Sequence, residues 1–322
     1  MHSIPELSQL FNHYLQEQHF NRKPKSLYEP VSYILGLGGK HLRPLLVMMS
    51  AELFGRNPAE VLPQSFAVEL FHNFSLIHDD IMDEAPIRRG KETVHKKYDR
   101  NTAILSGDVM LVYAYEYLLK NNPPSPGSLV SVFNQTAIEV CEGQQLDLEF
   151  ESLIPSAEAY IEMITLKTAV LLGGALRIGA IMVGASESDA HHIYEFGKNT
   201  GIAFQLLDDI LDTFGNAEEF GKRIGGDIIQ NKKTILLLGA LQRANREQAA
   251  ELHSWLSRSN DETGKIAAVK NIFIDTGAES YARDLLNTYH QKASEALQAV
   301  QVAPEKKEVL TAFADMMLRR TR

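Results

Sequence analysis

The chain has 322 residues, of which 41 are Asp or Glu and 32 are Lys or Arg, so its formal net charge is −9. Because sequence-independent affinity for nucleic acid comes from Lys and Arg that neutralise phosphates, this balance argues against a nucleic-acid-binding protein. The single cysteine, Cys141, excludes an intramolecular disulfide and a cysteine-rich zinc site, and it favours a reducing cytoplasm. The 21 Gly and 12 Pro predict few turns and long helices.

Apolar residues recur at helical spacing along most of the chain, and no alternating period of two competes with them. The most apolar stretch, 168–185, is interrupted by Arg177 and several glycines, so we expect a buried core helix rather than a membrane span. The ranges predicted to be helical are, in chain order, 41–53, 59–83, 102–120, 129–144, 157–183, 189–214, 232–244 and 279–300. The predicted fold class is therefore all-α.

Turn-forming residues separate the predicted helices at 121–127, 186–188 and 259–264. The segment 215–226 differs from these breaks because it combines four glycines with several charged residues. Two interpretations stay open for it: a loop that closes over a site, or an exposed connection without a role.

Two Asp-Asp-x-x-Asp motifs each follow a long apolar helical pattern. On a helix, the first and last aspartates of such a motif share one face, where their like charges repel and also oppose the helix dipole. This arrangement indicates a bound cation. Mg²⁺ fits it, because Mg²⁺ takes one or two carboxylates and completes its shell with waters and substrate phosphates, whereas the spacing excludes an EF-hand. The candidate metal ligands are Asp79, Asp80, Asp83, Asp208, Asp209 and Asp212.

Compact basic clusters accompany the aspartates. Residues 38–44 read Gly-Gly-Lys-His-Leu-Arg-Pro, which places Lys40 and Arg43 at a predicted helix start, where backbone amides also favour anions. Arg88 and Arg89 follow the first motif, and arginine pairs suit bidentate phosphate contacts. A basic pair alone is more often a solvated surface, so the weight of these clusters comes from their conjunction with the aspartates.

Single residues add to this set. Lys167, Lys222 and Lys232 are further candidate phosphate ligands. His72 falls on the helix face of Asp79, although a lone histidine on such a helix is more often a packed core residue.

Taken in order, these motifs resemble the trans-isoprenyl diphosphate synthases, also called polyprenyl synthetases, over nearly the whole chain. One departure is Asn231, which precedes Lys232 where the family usually has Gly. The matching segments are 38–44, 79–83 with 88–90, 106–108, 143–147, 167–168, 204–212, 221–222, and Lys232 with Thr234.

The resemblance implies one domain spanning 1–322, a large helical bundle around a deep central cavity, with the two aspartate helices facing each other at its mouth. It implies Mg²⁺ as the metal, with three ions when diphosphate is bound, and a cytoplasmic homodimer without a transmembrane segment. The implied substrates are isopentenyl diphosphate and an allylic diphosphate, which are condensed to a short all-trans prenyl diphosphate.

The resemblance also implies individual roles. The residues expected to stabilise the departing diphosphate of the allylic substrate are Lys167, Lys222, Lys232 and Arg88. Those expected to hold isopentenyl diphosphate are Gly39, Lys40, Arg43, His72 and Arg89. Thr168 and Gln205 are expected near the allylic cation, and no side-chain base is expected.

Product length in this family depends partly on the residues four and five positions before the first aspartate, here Ser75 and Phe74. A bulky Phe74 resembles the floor of a cavity, and the pair is similar to that of geranylgeranyl-forming enzymes, with a farnesyl-forming enzyme as the second interpretation. Helical periodicity alone does not direct Phe74 into a tunnel, and the residue is also compatible with ordinary core packing.

Three other functions are compatible with parts of the pattern. A terpene cyclase shares the first aspartate motif, but its second motif usually differs, and it needs no second diphosphate site. A His-Asp phosphohydrolase would use His78 and Asp79 and leave the second motif unexplained. A noncatalytic subunit of a heteromeric synthase often has degraded aspartate motifs, whereas both motifs are intact here.

Overall fold

The computed structural model describes residues 1–215, 224–258 and 261–318. It is 78% helical, and the described residues contain strands only in one two-stranded antiparallel hairpin, β1 (Ile87–Arg88) and β2 (Lys91–Glu92). The predicted all-α class is confirmed.

The described helices up to the middle of the chain are α1 Ile4–Gln16, α2 Lys25–Gly36, α3 Leu42–Leu53, a 3₁₀ turn Pro58–Val61, α4 Leu62–Met82, α5 Val94–Lys97, α6 Arg100–Leu118 and α7 Pro126–Ser152. Those that follow are α8 Ala157–Ile164, a π-helical turn Thr165–Ala169, α9 Val170–Met182, α10 Glu187–Phe214, α11 Gly226–Ile229, α12 Ile235–Arg243, α13 Arg246–Leu256, α14 Glu262–Asp275, α15 Ala278–Ala299 and α16 Pro304–Leu318.

Every range predicted to be helical contains a helix, and the ends differ by a few residues in most cases. The largest difference is α7, which begins at Pro126 inside a predicted turn and runs beyond 144. Proline is well accommodated at a helix start because its missing N–H has no intrahelical partner there. The helices that the periodicity missed are α1, α2, α5, α11, α13, α14 and α16.

Helix α1 shows why some helices were missed. Only Leu7 and Phe11 are buried on it, so its apolar stripe is too narrow to dominate the pattern. Its start nevertheless carries a capping box, in which the Ser3 hydroxyl accepts from the Glu6 N–H and the Glu6 carboxylate accepts from the Ser3 N–H. The Ser-x-x-Glu pattern of this capping box is recognisable from the sequence alone.

The chain divides into two compact units, each built from separate segments. The first comprises Met1–Gln135, Gly174–Tyr194 and Val300–Leu310, and it contains the first aspartate motif. The second comprises Thr136–Gly173, Glu195–Ala299 and Thr311–Arg322, and it contains the second motif. The expectation of a single domain over 1–322 stays a prediction.

Aromatic side chains form much of the core of the first unit. Phe66 of α4 is fully buried and meets Tyr117 of α6 edge to face, with ring centroids 4.7 Å apart. Phe71, five residues later, packs in the same way on Phe133 of α7, with ring centroids 5.4 Å apart. Burying such side chains stabilises the unit by about 1.5–3 kcal/mol each, and these contacts hold α4, which ends in the first aspartate motif, against its neighbours.

Two glycines allow close backbone approach around the π-helical turn of the second unit. A Cβ on Gly143 of α7 would lie 2.1 Å from the backbone nitrogen of Lys167, and one on Gly201 of α10 would lie 2.7 Å from the Cα of Ala169. Because no larger residue fits at either position, α7 and α10 pack directly against the turn. This packing positions Lys167 and Thr168, which lie on the turn.

The continuous helical stretch Ala157–Met182 is the one described segment that is long and apolar enough to cross a membrane, with a mean hydropathy of 1.5 over its most apolar window. Within the structure, 72% of that window is buried, as a core helix requires. The predicted core helix at 168–185 agrees with this arrangement.

Gly179→Ala is expected to lower the free energy of unfolding by about 1–3 kcal/mol, because overpacking forces the backbone to shift. The new Cβ would lie 2.3 Å from the carbonyl oxygen of Val47 on α3. Urea unfolding measures the change. Gly36→Ala is the matched control, since a Cβ at that helical position meets nothing within 4 Å. Equal midpoints for the two variants would show that α9 and α3 do not pack as described.

Candidate active site

The first aspartate motif lies at the C-terminal end of α4, and its middle residue faces inward. Asp80 is 1% exposed, and Nε of Arg88 donates to both of its carboxylate oxygens at 2.8 Å. The same guanidinium donates to Asp79 at 3.2 Å. Burial raises the pKa of Asp80, although Arg88 opposes the shift. Asp83 follows as the exposed C-cap residue, and its N–H donates to the Asp79 carbonyl oxygen.

The basic cluster predicted at 38–44 and the arginine after the first motif meet in the first unit. Arg43 donates to Nε2 of His72 at 3.1 Å, and Arg89 donates to the carbonyl oxygen of Gly38. A Cβ on Gly39 would lie 3.0 Å from the Arg89 guanidinium, so the glycine makes room for the arginine. Lys40, the remaining cation of the cluster, is exposed. The structure therefore brings together Gly39, Arg43, His72 and Arg89, four of the five residues predicted for isopentenyl diphosphate.

A buried carboxylate beneath this cluster was not foreseen. Glu69 is 1% exposed, and its Oε1 accepts from the Asn73 amide at 2.8 Å and lies 3.0 Å from Nδ1 of His41. Burial lowers the pKa of Arg43 to about 10, and the charge of Glu69 opposes that shift. Glu69 thus offsets positive charge that would otherwise repel. A single Glu within the run Phe-Ala-Val-Glu-Leu-Phe was the signal that could have identified it.

The second motif, on α10, also has an inward middle residue. Asp209 is 3% exposed and accepts hydrogen bonds from the Tyr160 hydroxyl at 2.5 Å, from Gln205 at 3.3 Å and from the Ile235 N–H at 3.4 Å. Burial raises the pKa of Asp209 to about 7, although the Tyr160 hydroxyl opposes the shift. Tyr160 had no sequence signal, because its partner lies 49 residues away.

The outer aspartates of the second motif have different surroundings. Asp208 is half-buried, and Asp212 is 9% exposed and accepts from the Asp227 N–H at 2.9 Å. The carboxylate of Asp227 pairs in turn with Lys232 at 3.1 Å. Against the effect of burial, Asp227 raises the pKa of Lys232, so this lysine is a cation at neutral pH. Asp227, which links motif and lysine, was not predicted.

The remaining predicted residues also have defined positions. Nζ of Lys167 contacts the Asp147 carboxylate at 2.5 Å, which explains the aspartate that ends the segment 143–147. Thr168 and Gln205 are half-buried. Lys222, and with it most of the predicted closing segment 215–226, lies outside the described residues.

The segment 106–108 is explained by its contact with the first motif. A Cβ on Gly107 would lie 2.5 Å from Nε2 of His78, so only glycine lets α6 pass this histidine. The neighbouring Ser106 hydroxyl donates to the Leu27 carbonyl oxygen at 3.0 Å. These contacts hold α2 and α4 against α6.

Within the described part of the chain, no group of three or more His, Cys, Asp or Glu side chains is arranged to hold a metal ion by itself. Mg²⁺ does not require one, because one or two carboxylates suffice when substrate phosphates supply the other ligands. The middle aspartates are bound by Arg88 and Tyr160. The outer aspartates keep carboxylate oxygens that suit Mg²⁺, although Asp79 also accepts from Arg88 and Asp212 accepts from the Asp227 N–H. The donor set therefore fits Mg²⁺ and a diphosphate together.

Carboxylates suited to Mg²⁺ near the ends of two long helices, beside cations suited to diphosphate, indicate an enzyme that acts on diphosphates in an all-α fold. The family model described as polyprenyl synthetase matches residues 24–273. The chain belongs to the polyprenyl synthetase family, and it is a prenyltransferase.

Similar proteins carry related names. The geranylgeranyl diphosphate synthase of Methanosarcina mazei is 38% identical over 301 residues, which are 92% of this chain and 91% of that protein. The geranylfarnesyl diphosphate synthase of Natronomonas pharaonis is 32% identical, over 99% of this chain and 97% of that protein. A crystal structure of a geranylgeranyl pyrophosphate synthase is 44% identical and superimposes with a TM-score of 0.94 over 99% of each chain. The fold is the all-α fold of these prenyl synthases.

The contribution of His72 to the stability of the protein is expected to fall on acidification. Burial, followed by the charges of Arg43 and Arg89, holds the pKa of His72 well below its ordinary value of 6.5. The unfolded chain therefore binds a proton below pH 6.5 that the folded protein does not bind. Between pH 7 and pH 5.5, this one group lowers the free energy of unfolding by about 1 kcal/mol.

Urea unfolding at the two pH values measures the change in the free energy of unfolding. In His72→Gln, this change should be smaller by the contribution of His72, about 1 kcal/mol. His13→Gln is the control, since His13 is an exposed histidine on α1. An unchanged pH dependence in His72→Gln would contradict a neutral, buried His72.

Proposed function

We propose that this chain condenses isopentenyl diphosphate with an allylic diphosphate to form geranylgeranyl diphosphate. The observation that carries the proposal is the cluster of Arg43, His72 and Arg89, which offers a diphosphate site in the same unit as the first aspartate motif. A terpene cyclase, with one diphosphate substrate, has no use for such a cluster. The related geranylgeranyl diphosphate synthases support this product.

In the proposed reaction, the bond between C1 and oxygen of the allylic diphosphate breaks, and the double bond of isopentenyl diphosphate forms the new carbon–carbon bond at C1. Mg²⁺ held by the outer aspartates, Asp79, Asp83, Asp208 and Asp212, would supply positive charge to the allylic diphosphate. Lys167, Lys232 and Arg88, with Lys222, stabilise the charge that develops on the departing group. Their carboxylate partners Asp147, Asp227 and Asp80 hold the described three in place before substrate binds.

The second substrate is held by a different set of groups. Arg43, Arg89 and Lys40 bind the diphosphate of isopentenyl diphosphate, and neutral His72 donates through Nδ1 while its Nε2 accepts from Arg43. Thr168 and Gln205 lie near the allylic cation. The proton lost from C2 after bond formation goes to the released diphosphate, so no side-chain base takes part.

Four further properties belong to the proposal. The metal is Mg²⁺, with three ions when diphosphate is bound, and the enzyme acts in the cytoplasm as a single domain spanning 1–322. The enzyme is a homodimer. Support for a dimer comes from α6, which buries one face and exposes Leu105 and Val112 on another, 58% and 66% accessible and seven residues apart.

The direct test is incubation of the protein with isopentenyl diphosphate, Mg²⁺ and each of dimethylallyl, geranyl and farnesyl diphosphate in turn, followed by product sizing. Geranylgeranyl diphosphate is the expected main product. Farnesyl or geranylfarnesyl diphosphate as the main product would change the assigned length. No elongation with any primer would favour a noncatalytic subunit.

Asp79→Ala and Asp208→Ala are each expected to lower turnover at least ~100-fold at saturating Mg²⁺, since each removes an outer carboxylate from the metal-bound diphosphate. The rate of prenyl transfer measures the loss. Asp284→Ala, which changes an exposed carboxylate on α15, is the matched control and should leave the rate unchanged. Near-normal turnover in either motif variant would refute the assignment.

Phe74→Ala is expected to lengthen the products. Phe74 is half-buried and packs on Phe71 and His78 of its own helix, with ring centroids 5.6 Å and 4.7 Å apart, and Ser75 beside it is small. Mass spectrometry of the products measures the effect. Phe54→Ala removes an equally half-buried phenylalanine at the end of α3 and should not change the products. An unchanged distribution in Phe74→Ala would remove Phe74 from length control.

A further inference from the structure

Lys232 lies in the short connection between α11 and α12, and the backbone of this connection has an unusual conformation. Asn231 has φ of 55°, in the left-handed region that residues other than Gly and Asn rarely adopt. The N–H of Lys232 donates to the Asp227 carbonyl oxygen at 2.9 Å, next to the ion pair between the two side chains. The position of Lys232 therefore depends on the conformation of Asn231.

A buried lysine on α14 contacts this turn. Lys265 is 4% exposed, and its Nζ donates to Oδ1 of Asn231 at 2.6 Å and to the Ile229 carbonyl oxygen at 3.4 Å. No carboxylate among the described residues pairs with it, and burial lowers its pKa. An ammonium group buried without a counter-ion is costly, so its hydrogen bonds to the turn compensate for lost solvation.

The amide of Asn231 is held at both ends. Its Nδ2 donates to the Leu256 carbonyl oxygen at 3.0 Å, while its Oδ1 accepts from Lys265. Next to Lys265 on α14, Ile266 packs under the start of the same segment, where a Cβ on Gly225 would lie 2.8 Å from Ile266 Cγ1. Two adjacent residues of α14 thus contact both ends of the segment 225–231.

We propose that Lys265 is a positioning residue that acts through Asn231 to hold Lys232 and Asp227 in place beside the second aspartate motif. Glycine adopts a left-handed conformation without assistance, whereas asparagine at this position has its side chain anchored. The Asp227 N–H continues the chain of contacts to Asp212. The effect on catalysis rests on the proposed function, because Lys232 acts there on the departing diphosphate.

Lys265→Met tests the proposal, since Met has a similar length and no donor. We expect kcat to fall about tenfold with the KM for isopentenyl diphosphate unchanged, because the groups proposed for that substrate lie in the first unit. The free energy of unfolding should change little, since burial of the apolar Met side chain offsets the lost hydrogen bonds. If Lys265 only stabilised the fold, kcat of the Lys265→Met variant would instead fall together with its free energy of unfolding.

A second substitution provides the rescue. In Asn231→Gly/Lys265→Met, glycine adopts the left-handed conformation alone, so kcat should return to within about threefold of the unaltered protein. Failure of this rescue would overturn the coupling between the two residues. Lys292→Met, which changes an exposed lysine on α15, is the matched control and should leave kcat unchanged.

Hydrogen exchange followed by mass spectrometry tests positioning without reference to activity. Amides of the segment 225–233 should exchange faster in Lys265→Met and return towards the unaltered rate in the double variant. Unchanged exchange and unchanged kcat in Lys265→Met would overturn the inference while leaving prenyl elongation intact. If the unaltered protein elongates no primer, the proposed function fails, and the exchange data alone decide whether Lys265 holds the segment.

Discussion

Repulsion among neighbouring carboxylates at a helix end is the constraint on which this site depends. Each aspartate motif places three acids within about one turn, where the helix dipole also disfavours anions. Both motifs meet this constraint in the same way, because the middle aspartate turns inward and binds a donor from another segment. Arg88 serves Asp80, and Tyr160 serves Asp209. The outer aspartates of each motif are the ones proposed to hold Mg²⁺.

In the cationic cluster of Arg43, His72 and Arg89, it is positive charges that would repel one another. The charge of Arg89 disfavours that of Arg43, and both arginines lie close enough to His72 to disfavour its protonation. A neutral His72 avoids a third positive charge, and the buried carboxylate of Glu69 offsets the two arginines. Buried like charges are costly without such a counter-charge, so Glu69 stabilises the proposed diphosphate site before a ligand binds.

The two described lysines proposed to act on the departing diphosphate share a structural setting. Lys167 lies on a π-helical turn that Gly143 and Gly201 allow to pack tightly, and Lys232 follows the left-handed Asn231. Each lysine also has a carboxylate partner that holds its side chain. Irregular backbone is common where a functional side chain needs a defined orientation. Here the neighbouring regular helices hold that backbone rigidly.

The sequence by itself determined the all-α class, the long helices with a wide apolar stripe, both aspartate motifs and the family, because these depend on local spacing and residue type. It did not determine which aspartate of each motif turns inward, the buried Glu69, or the contact of Lys265 with Asn231. Those features pair residues that are distant in the chain, such as Tyr160 with Asp209. Only tertiary packing decides which buried polar group finds a partner, since the cost of leaving one unpaired is settled by its three-dimensional neighbours.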